Sequence, residues 1–485
     1  MLKDILVYIS DQHSWNMGFG SDEVLRTPNL HRLAQEGTVM ENCYTAYPMC
    51  VPARMSMMSG QLAGNCGVMN NFTALDSNRA TFAHCLNSIG YNTVLCGRMH
   101  FVGGDQRHGF SKRIAGEMTP IFQNRPLSAF KEERGVHLNT PTGGPSSLSI
   151  IGGGDSPTLA YDRYVIEKAK EYLTYNHDEP MLMVVGTYAP HHPYVAPVEL
   201  YEYYYDKVTI PEETFAYPEH PAISGKVLFD PDPDVVRAVR ASYYGMVEFE
   251  DQKIGETYDA FQQYLSRTGH EGVFVYISDH GDHAGYRGLY GKGTFYDAAV
   301  HVPMVFAGEG IAKGKKVSGA VSLMDLGPTL CEIAGAPAMP CADGVGLNNL
   351  LSSSGDNTER MVISEVGGDF DSNGCFYYGQ MVKKGRYKYI HYDGYDDDDV
   401  LYDTISDPLE SANVIAQHQE LVKEMQYELL RCCRSIDDLK KMARQNSTNL
   451  MITSRCNLDS EERWHCPACA RNYPAHMVSS KKFKK

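Results

Sequence analysis

Four apolar, β-branched runs along this chain end in dense polar clusters. Residues 5–9 lead into Asp11, Gln12 and His13, and residues 93–96 lead into Gly97, Arg98, Met99 and His100. Residues 181–187 run into Pro190, His191, His192, Pro193 and Tyr194, and residues 273–277 into Ser278, Asp279, His280, Gly281 and Asp282. Helix-like segments alternate with these runs. The rhythm predicts an α/β fold: a large mixed, mostly parallel sheet flanked by helices. Ligands bind at the carboxyl ends of strands in such sheets, so four polar tips predict one site gathered from distant parts of the chain. A further helix is predicted from about Cys50, because Pro52 suits a first turn and good helix formers follow as far as Gly60.

Size and charge narrow the picture. A chain of 485 residues exceeds the roughly 250–300 at which single cores stop growing. We read three parts: a catalytic α/β domain over 1–370, a smaller α+β subdomain over 371–440, and an extension over 441–485. The formal charge of −16 excludes a general nucleic-acid binder, which needs a basic face. Local anion binding is untouched by it, since a metal and a few cations outweigh a diffuse negative surface. The Asp run 396–399 reads as a solvated loop. No stretch reaches the ~20 apolar residues of a membrane span. Met1 leads straight into a strand with no export signal, so the 13 cysteines are expected to be reduced and the protein cytoplasmic.

The chemistry concentrates in two pairs and one pentapeptide. Asp11, Gln12, Asp279 and His280 offer two carboxylates, an amide oxygen and an imidazole from two strand tips. Mostly oxygen donors favour a hard divalent cation such as calcium, magnesium or manganese, while the histidine leaves room for a softer one. Cys50 at a helix N-terminus lies where free amides and the helix dipole favour negative charge, and Arg54 can point back toward the same anion. Arg98, His100, His191 and Lys292 are the remaining candidate cations and proton carriers.

Cys50-Val51-Pro52-Ala53-Arg54 fits C-x-P-x-R, and with the flanking clusters the chain resembles the type I, formylglycine-dependent sulfatases of the alkaline-phosphatase-like superfamily. The resemblance runs from Asp4 to about Arg434. It implies that a formylglycine-generating or anaerobic sulfatase-maturating enzyme converts Cys50 to formylglycine. Asp11, Gln12, Asp279 and His280 then fall at the metal positions, beside residue 50. Arg54 would support residue 50, Arg98, His100, His191 and Lys292 would contact the sulfate or the leaving oxygen, and His191 would be the proton donor. The hydrated aldehyde would attack sulfur, and the resulting hemiacetal sulfate would expel sulfate after losing a proton to His100. Leu401-Tyr402-Asp403 and Asp407-Pro408-Leu409-Glu410 are similar to the family's C-terminal subdomain, a small antiparallel sheet with a helix.

Three departures shape the substrate reading. Many relatives carry two aspartates where this chain has Asp11-Gln12; the glutamine version with Asp-His occurs in choline-sulfatase-like and phosphonate-monoester-hydrolase-like branches. Arg98 replaces the lysine of a Gly-Lys-x-His loop, keeping charge in a planar fork. Residues 99–110 are similar to choline sulfatases, whereas the 291–296 segment is not distinctive of them. The implied activity is hydrolysis of a sulfate monoester, a sulfated sugar or another small ester such as a choline-sulfate-like one. The competing readings are a phosphonate monoester or phosphodiester hydrolase on the same scaffold, and an inactive binding protein. The loops 111–156 and 201–232 are expected to set specificity. The tyrosines at 201–205 read as a packing surface, with a substrate platform the alternative. In the extension, Cys456, His465, Cys466, Cys469 and His476 offer a zinc knuckle only with poor spacing, and the end from Ser479 is basic.

Overall fold

The structure, a computed structural model, describes residues 3–19, 23–119, 148, 150–227, 232–352, 358–371 and 373–453. In chain order the strands are β1 (Asp4–Asp11), β2 (Gly37–Tyr44), β3 (Asn92–Gly97), β4 (Lys112–Ala115), β5 (Ile151–Gly153), β6 (Met181–Pro190) and β7 (Tyr194–Ala196). They continue with β8 (Gly272–Ser278), β9 (Met304–Gly308), β10 (Lys315–Ser322), β11 (Met361–Phe370), β12 (Phe376–Lys384), β13 (Tyr387–Tyr392) and β14 (Val400–Asp403). An eight-stranded sheet has the order β10-β2-β9-β8-β1-β6-β3-β4. Only β9 runs antiparallel to its neighbours β2 and β8; the other pairings are parallel. The expected mixed, mostly parallel sheet is therefore the observed one.

β1 and β8 read as unbroken apolar runs because both faces of the sheet are covered. Ile5, Val7, Ile9, Val273, Val275 and Ile277 pack on one side with Met55, Met58 and Phe82. Leu6, Tyr8, Phe274 and Tyr276 face the other side, against Tyr161, Val165, Ile254 and Tyr258. Those last four residues stand on the helices Pro157–Tyr172 and Pro233–Thr268. β1 and β8 are in register from Asp4/Gly272 to Ser10/Ser278. That register brings the Asp11-Gln12 and Asp279-His280 tips side by side.

The helix Val198–Tyr205 buries Tyr201 and Tyr204 against Val235, Val239 and Tyr244 of the long helix. Packing accounts for these two tyrosines. The small antiparallel sheet, β11-β12-β13-β14, carries the helix Gln419–Cys432. It begins at Met361 and not at 371, because β11 pairs with β12 from Met361/Lys384 to Phe370/Phe376. The helix Ile436–Thr453 likewise runs across the 440/441 boundary. The Cys/His residues from Cys456 to His476, the basic end, and most of the 111–156 loop lie outside the described residues.

Candidate active site

Cys50 opens the helix Cys50–Ser59, with extended Met49 as its cap and Gly60 closing it in the left-handed region at φ +70°. The thiol is 2% exposed. Ligand atoms of Asp11, Cys50, Asp279 and His280 all lie within 4.8 Å of one another, and all four residues are buried. His280 Nε2 is 3.2 Å from Cys50 Sγ, and Asp11 Oδ1 is 3.8 Å from it. The Gln12 amide nitrogen donates to Asp279 Oδ1 at 3.1 Å, tying the two strand tips together.

This donor set fits a divalent cation. His280 Nδ1 faces the Gly281 carbonyl at 3.1 Å, which leaves Nε2 as the lone-pair atom turned into the cluster. Burial, partly offset by Asp279, lowers the His280 pKa to about 4, so the ring is neutral and able to ligate at neutral pH. Burial would raise the Asp11 carboxyl, but Arg98, with His191, Arg54 and Lys292, holds it well below the usual range.

Both candidate arginines engage carboxylates of the site itself. Arg54 is fully buried, with Nε on Asp279 Oδ2 (2.8 Å), Nη2 on Asp11 Oδ2 (3.1 Å) and Nη1 on the Arg98 carbonyl (3.2 Å). Arg98 directs Nε to Asp11 Oδ2 (2.5 Å), Nη1 to Glu117 and Thr119, and Nη2 to His100 Nδ1 (2.9 Å). Both guanidinium groups thus clamp carboxylates around the site and are spoken for by protein atoms. The planar fork that distinguishes arginine from lysine is what lets Arg98 span four partners at once. Room for its backbone comes from Gly186, where a Cβ would stand 1.8 Å from the Arg98 carbonyl oxygen.

The other three candidates face the cluster. Lys292, half-buried, places Nζ 3.1 Å from Cys50 Sγ and 2.5 Å from Gln12 Oε1. His191 donates from Nδ1 to the His192 carbonyl at 2.7 Å and turns Nε2 to within 4.0 Å of Asp11 Oδ1. Burial lowers the pKa of His191 well below its ordinary value, with His192 and Lys292 adding to the effect. His100 is lowered in the same way, by burial and then by Arg98. Burial also pushes the Cys50 thiol up, and Asp11 reinforces it. A protonated, buried thiol is a poor nucleophile.

Gln12 and His100 both hold left-handed backbone, at φ +72° and +57°. Such conformations in residues other than glycine cost about 1–3 kcal/mol and cluster at functional sites. Two buried carboxylates that sequence reasoning left without a role complete the surroundings. Asp282 contacts Gln12 and Tyr194. Glu117 accepts from Arg98 and from the backbone amides of Met99, His100, Met118 and Thr119. Asp282 stands inside a polar strand tip, a signal that could have found it; Glu117 belongs to no motif.

Comparison with known proteins agrees with this geometry. The sulfatase family model matches residues 3–336, and the model for the C-terminal part of N-sulphoglucosamine sulphohydrolase matches residues 285–435. A choline-sulfatase of Rhizobium meliloti (strain 1021) is 31% identical over 435 residues, covering 85% of this chain and 82% of the relative. An arylsulfatase K of Mus musculus is 27% identical, covering 91% and 80%. Among solved structures, a phosphonate monoester hydrolase of Agrobacterium radiobacter superposes with a TM-score of 0.70 at 21% identity, covering 92% and 96%. A protein solved with its substrate, D-glucosamine-2-N,6-O-disulfate, gives 0.70 at 18% identity, covering 92% and 99%. The two structures show a shared fold. The family match and the curated relatives show more: this chain belongs to the sulfatases of the alkaline-phosphatase-like superfamily and is a hydrolase of sulfate esters.

Proposed function

We propose that the enzyme hydrolyses the sulfate monoester of a small molecule, a sulfated sugar or a choline-sulfate-like ester, by displacement at sulfur from residue 50. The observation that carries this reading is the juxtaposition at Cys50: a helix N-terminus, three buried metal-type ligands within 4.8 Å, and the Lys292 ammonium 3.1 Å from Sγ. Oxidised to formylglycine by a maturation enzyme and hydrated, residue 50 would supply an oxygen nucleophile, and a divalent cation such as calcium would supply positive charge beside it. Asp11, Gln12, Asp279 and His280 hold that cation.

The chain's own residues do the rest. Arg54 and Arg98 keep the two carboxylates fixed, so the site does not reorganise as charge moves. Lys292 neutralises a peripheral sulfate oxygen. His191 has its Nδ1 proton committed to His192, so the leaving oxygen receives its proton from Nε2. That nitrogen is unprotonated in the unliganded site and takes up a proton when the anionic ester arrives beside it. His100 accepts from Arg98 at Nδ1 and so keeps its own proton on Nε2, as a donor to sulfate; the proton whose loss releases sulfate returns to His191 Nε2, which gave its own to the leaving alcohol. One water is consumed, and the alcohol and sulfate leave.

The relatives support the substrate range: one is named a choline-sulfatase, and one structural neighbour was solved with a disulfated glucosamine. Among the described residues all ten cysteines are free, which suits a reducing, cytoplasmic setting. No described helix is long and apolar enough to cross a membrane. A second reading, phosphonate monoester hydrolysis, is favoured by the Gln12 and His280 pair.

The test is peptide mass analysis around Cys50 after expression with a maturation enzyme, paired with turnover of aryl sulfate, aryl phosphonate and a panel of sulfated sugars. The expected result is a mass loss matching exchange of the thiol for an aldehyde, with sulfate preferred and Cys50→Ala inactive but folded. A large excess of turnover on phosphonate would transfer the assignment to the second reading.

A further inference from the structure

The amide of Gln12 is bracketed by groups of opposite charge. Nε2 donates one hydrogen to Asp282 Oδ2 at 2.5 Å and lies 3.3 Å from His192 Nδ1, which can take the other. On the opposite side, Oε1 accepts from Lys292 Nζ at 2.5 Å. An amide presents a donor to an anion and an acceptor to a cation across one planar group without carrying charge itself. The reversed rotamer would set carbonyl against carboxylate and NH2 against ammonium.

Asp282 does not follow Gln12; it is held independently. It is fully buried, and Oδ1 accepts from the amides of Ala284 (2.8 Å) and Gly291 (2.9 Å). The Tyr194 hydroxyl lies 2.9 Å from Oδ2 and 3.1 Å from Oδ1. Those donors come from the turn after β8, the lysine loop and β7, so the carboxylate's place is set before Gln12 is considered. It is not among the ligand atoms clustered at Cys50.

We propose that Asp282 is a positioning residue that fixes the Gln12 amide with its oxygen toward the cation site, and that it is the reason position 12 requires glutamine and not an acid. The inference rests on the reading that Asp11, Gln12, Asp279 and His280 hold a divalent cation. A carboxylate at position 12 would meet a second, immobile carboxylate in a fully buried site, and like charges so placed are strongly unfavourable. Through Gly291 the same group anchors the loop that carries Lys292. One buried acid therefore sets both the neutral oxygen ligand and the ammonium that faces it.

Calcium titration of the full-length, chelator-stripped protein by calorimetry, without substrate, tests this. Asp282→Asn has one oxygen left for several donors, and its calcium affinity is expected to fall roughly 10- to 100-fold, the usual range for groups behind a metal ligand. Gln12→Asp and Gln12→Glu are each expected to bind calcium more weakly than wild type, although added negative charge ordinarily strengthens calcium sites. Gln12→Asp/Asp282→Asn is expected to bind to within about threefold of wild type, because the repulsion is gone. Gln12→Glu keeps the side-chain length and leaves residue 282 untouched, so it decides the matter even if Asp282→Asn fails to fold. Tighter or unchanged binding by Gln12→Glu, or a double variant no better than Gln12→Asp, overturns the role of Asp282 alone. Wild-type protein that binds neither calcium, magnesium nor manganese overturns the metal reading and this inference with it.

Discussion

Glu117 shows how much of this site depends on residues that never touch substrate. Its two oxygens serve Arg98, the Thr119 hydroxyl and four backbone amides, among them those of Met99 and His100. Burial opposes its charge, but Arg98 and Arg113 hold the carboxyl well below the ordinary range. The acid thus fixes the left-handed turn at His100 and the fork of Arg98 together. In Glu117→Gln an NH2 group would face donors, and kcat on an aryl sulfate is expected to fall roughly 10- to 100-fold. Steady-state kinetics on the matured enzyme checks it, with a wild-type kcat counting against the role. Asp11, Gln12, Cys50, Lys292 and His280 were legible because they sit in motifs or at strand tips. Glu117 was not, since a lone acid in a loop carries no periodicity and its six donors converge only in three dimensions. The arginines were legible as charges and illegible as contacts: sequence cannot say whether a guanidinium faces a ligand or a neighbouring carboxylate.

At the scale of elements, the small sheet is locked to the lysine loop by one buried cation. Lys388 of β13 donates to the Phe295 carbonyl and to Asp297, both at 2.7 Å, and also meets Glu410. Two acids share that ammonium: Glu410, which is buried, and Asp297, which is partly exposed and also faces His301 and Lys383. Burial raises the Glu410 carboxyl from its ordinary value to about 7, Lys388 offsetting only part of the effect. Asp297 goes the other way: Lys388 overcomes the opposing effect of burial and holds it down. The signs follow. Because the folded state holds the Glu410 proton more tightly than the unfolded state, its contribution is fully present below the unfolded value near ~4.3 and is lost as pH rises through about 7. Between pH 5 and 8 wild type is expected to lose roughly 1–3 kcal/mol relative to Glu410→Gln, which lacks this titration. Urea midpoints measured across that range check it, and parallel curves would refute it. The strands themselves were legible, since apolar runs covered on both faces leave little ambiguity. The start of the small sheet was not, because β11 looks like one more strand of the large sheet until its antiparallel pairing with β12 is seen.

For the whole molecule, the candidate cation site lies on a seam. Asp11-Gln12 and Asp279-His280 continue adjacent central strands, while Cys50 comes from a helix on one face, so an ion there would cross-link segments far apart in sequence. Arg54 and Arg98 balance the two buried carboxylates at that seam. A ligand that binds only the folded state stabilises it in proportion to the logarithm of its concentration over Kd, about 2.7 kcal/mol at a hundredfold excess. Calcium is therefore expected to raise the Tm of chelator-stripped protein by several degrees, with a shift that grows with concentration. Asp279→Asn should lose that shift, since the change removes a ligand charge and the partner of Arg54 Nε together. Cys50→Ala should keep most of it, because two carboxylates, an amide oxygen and an imidazole remain. Calorimetric scans of the three proteins with and without calcium separate these outcomes. An equal shift in wild type and Asp279→Asn would place the stabilising ion elsewhere, and a shift abolished by Cys50→Ala would make the thiol itself the dominant ligand.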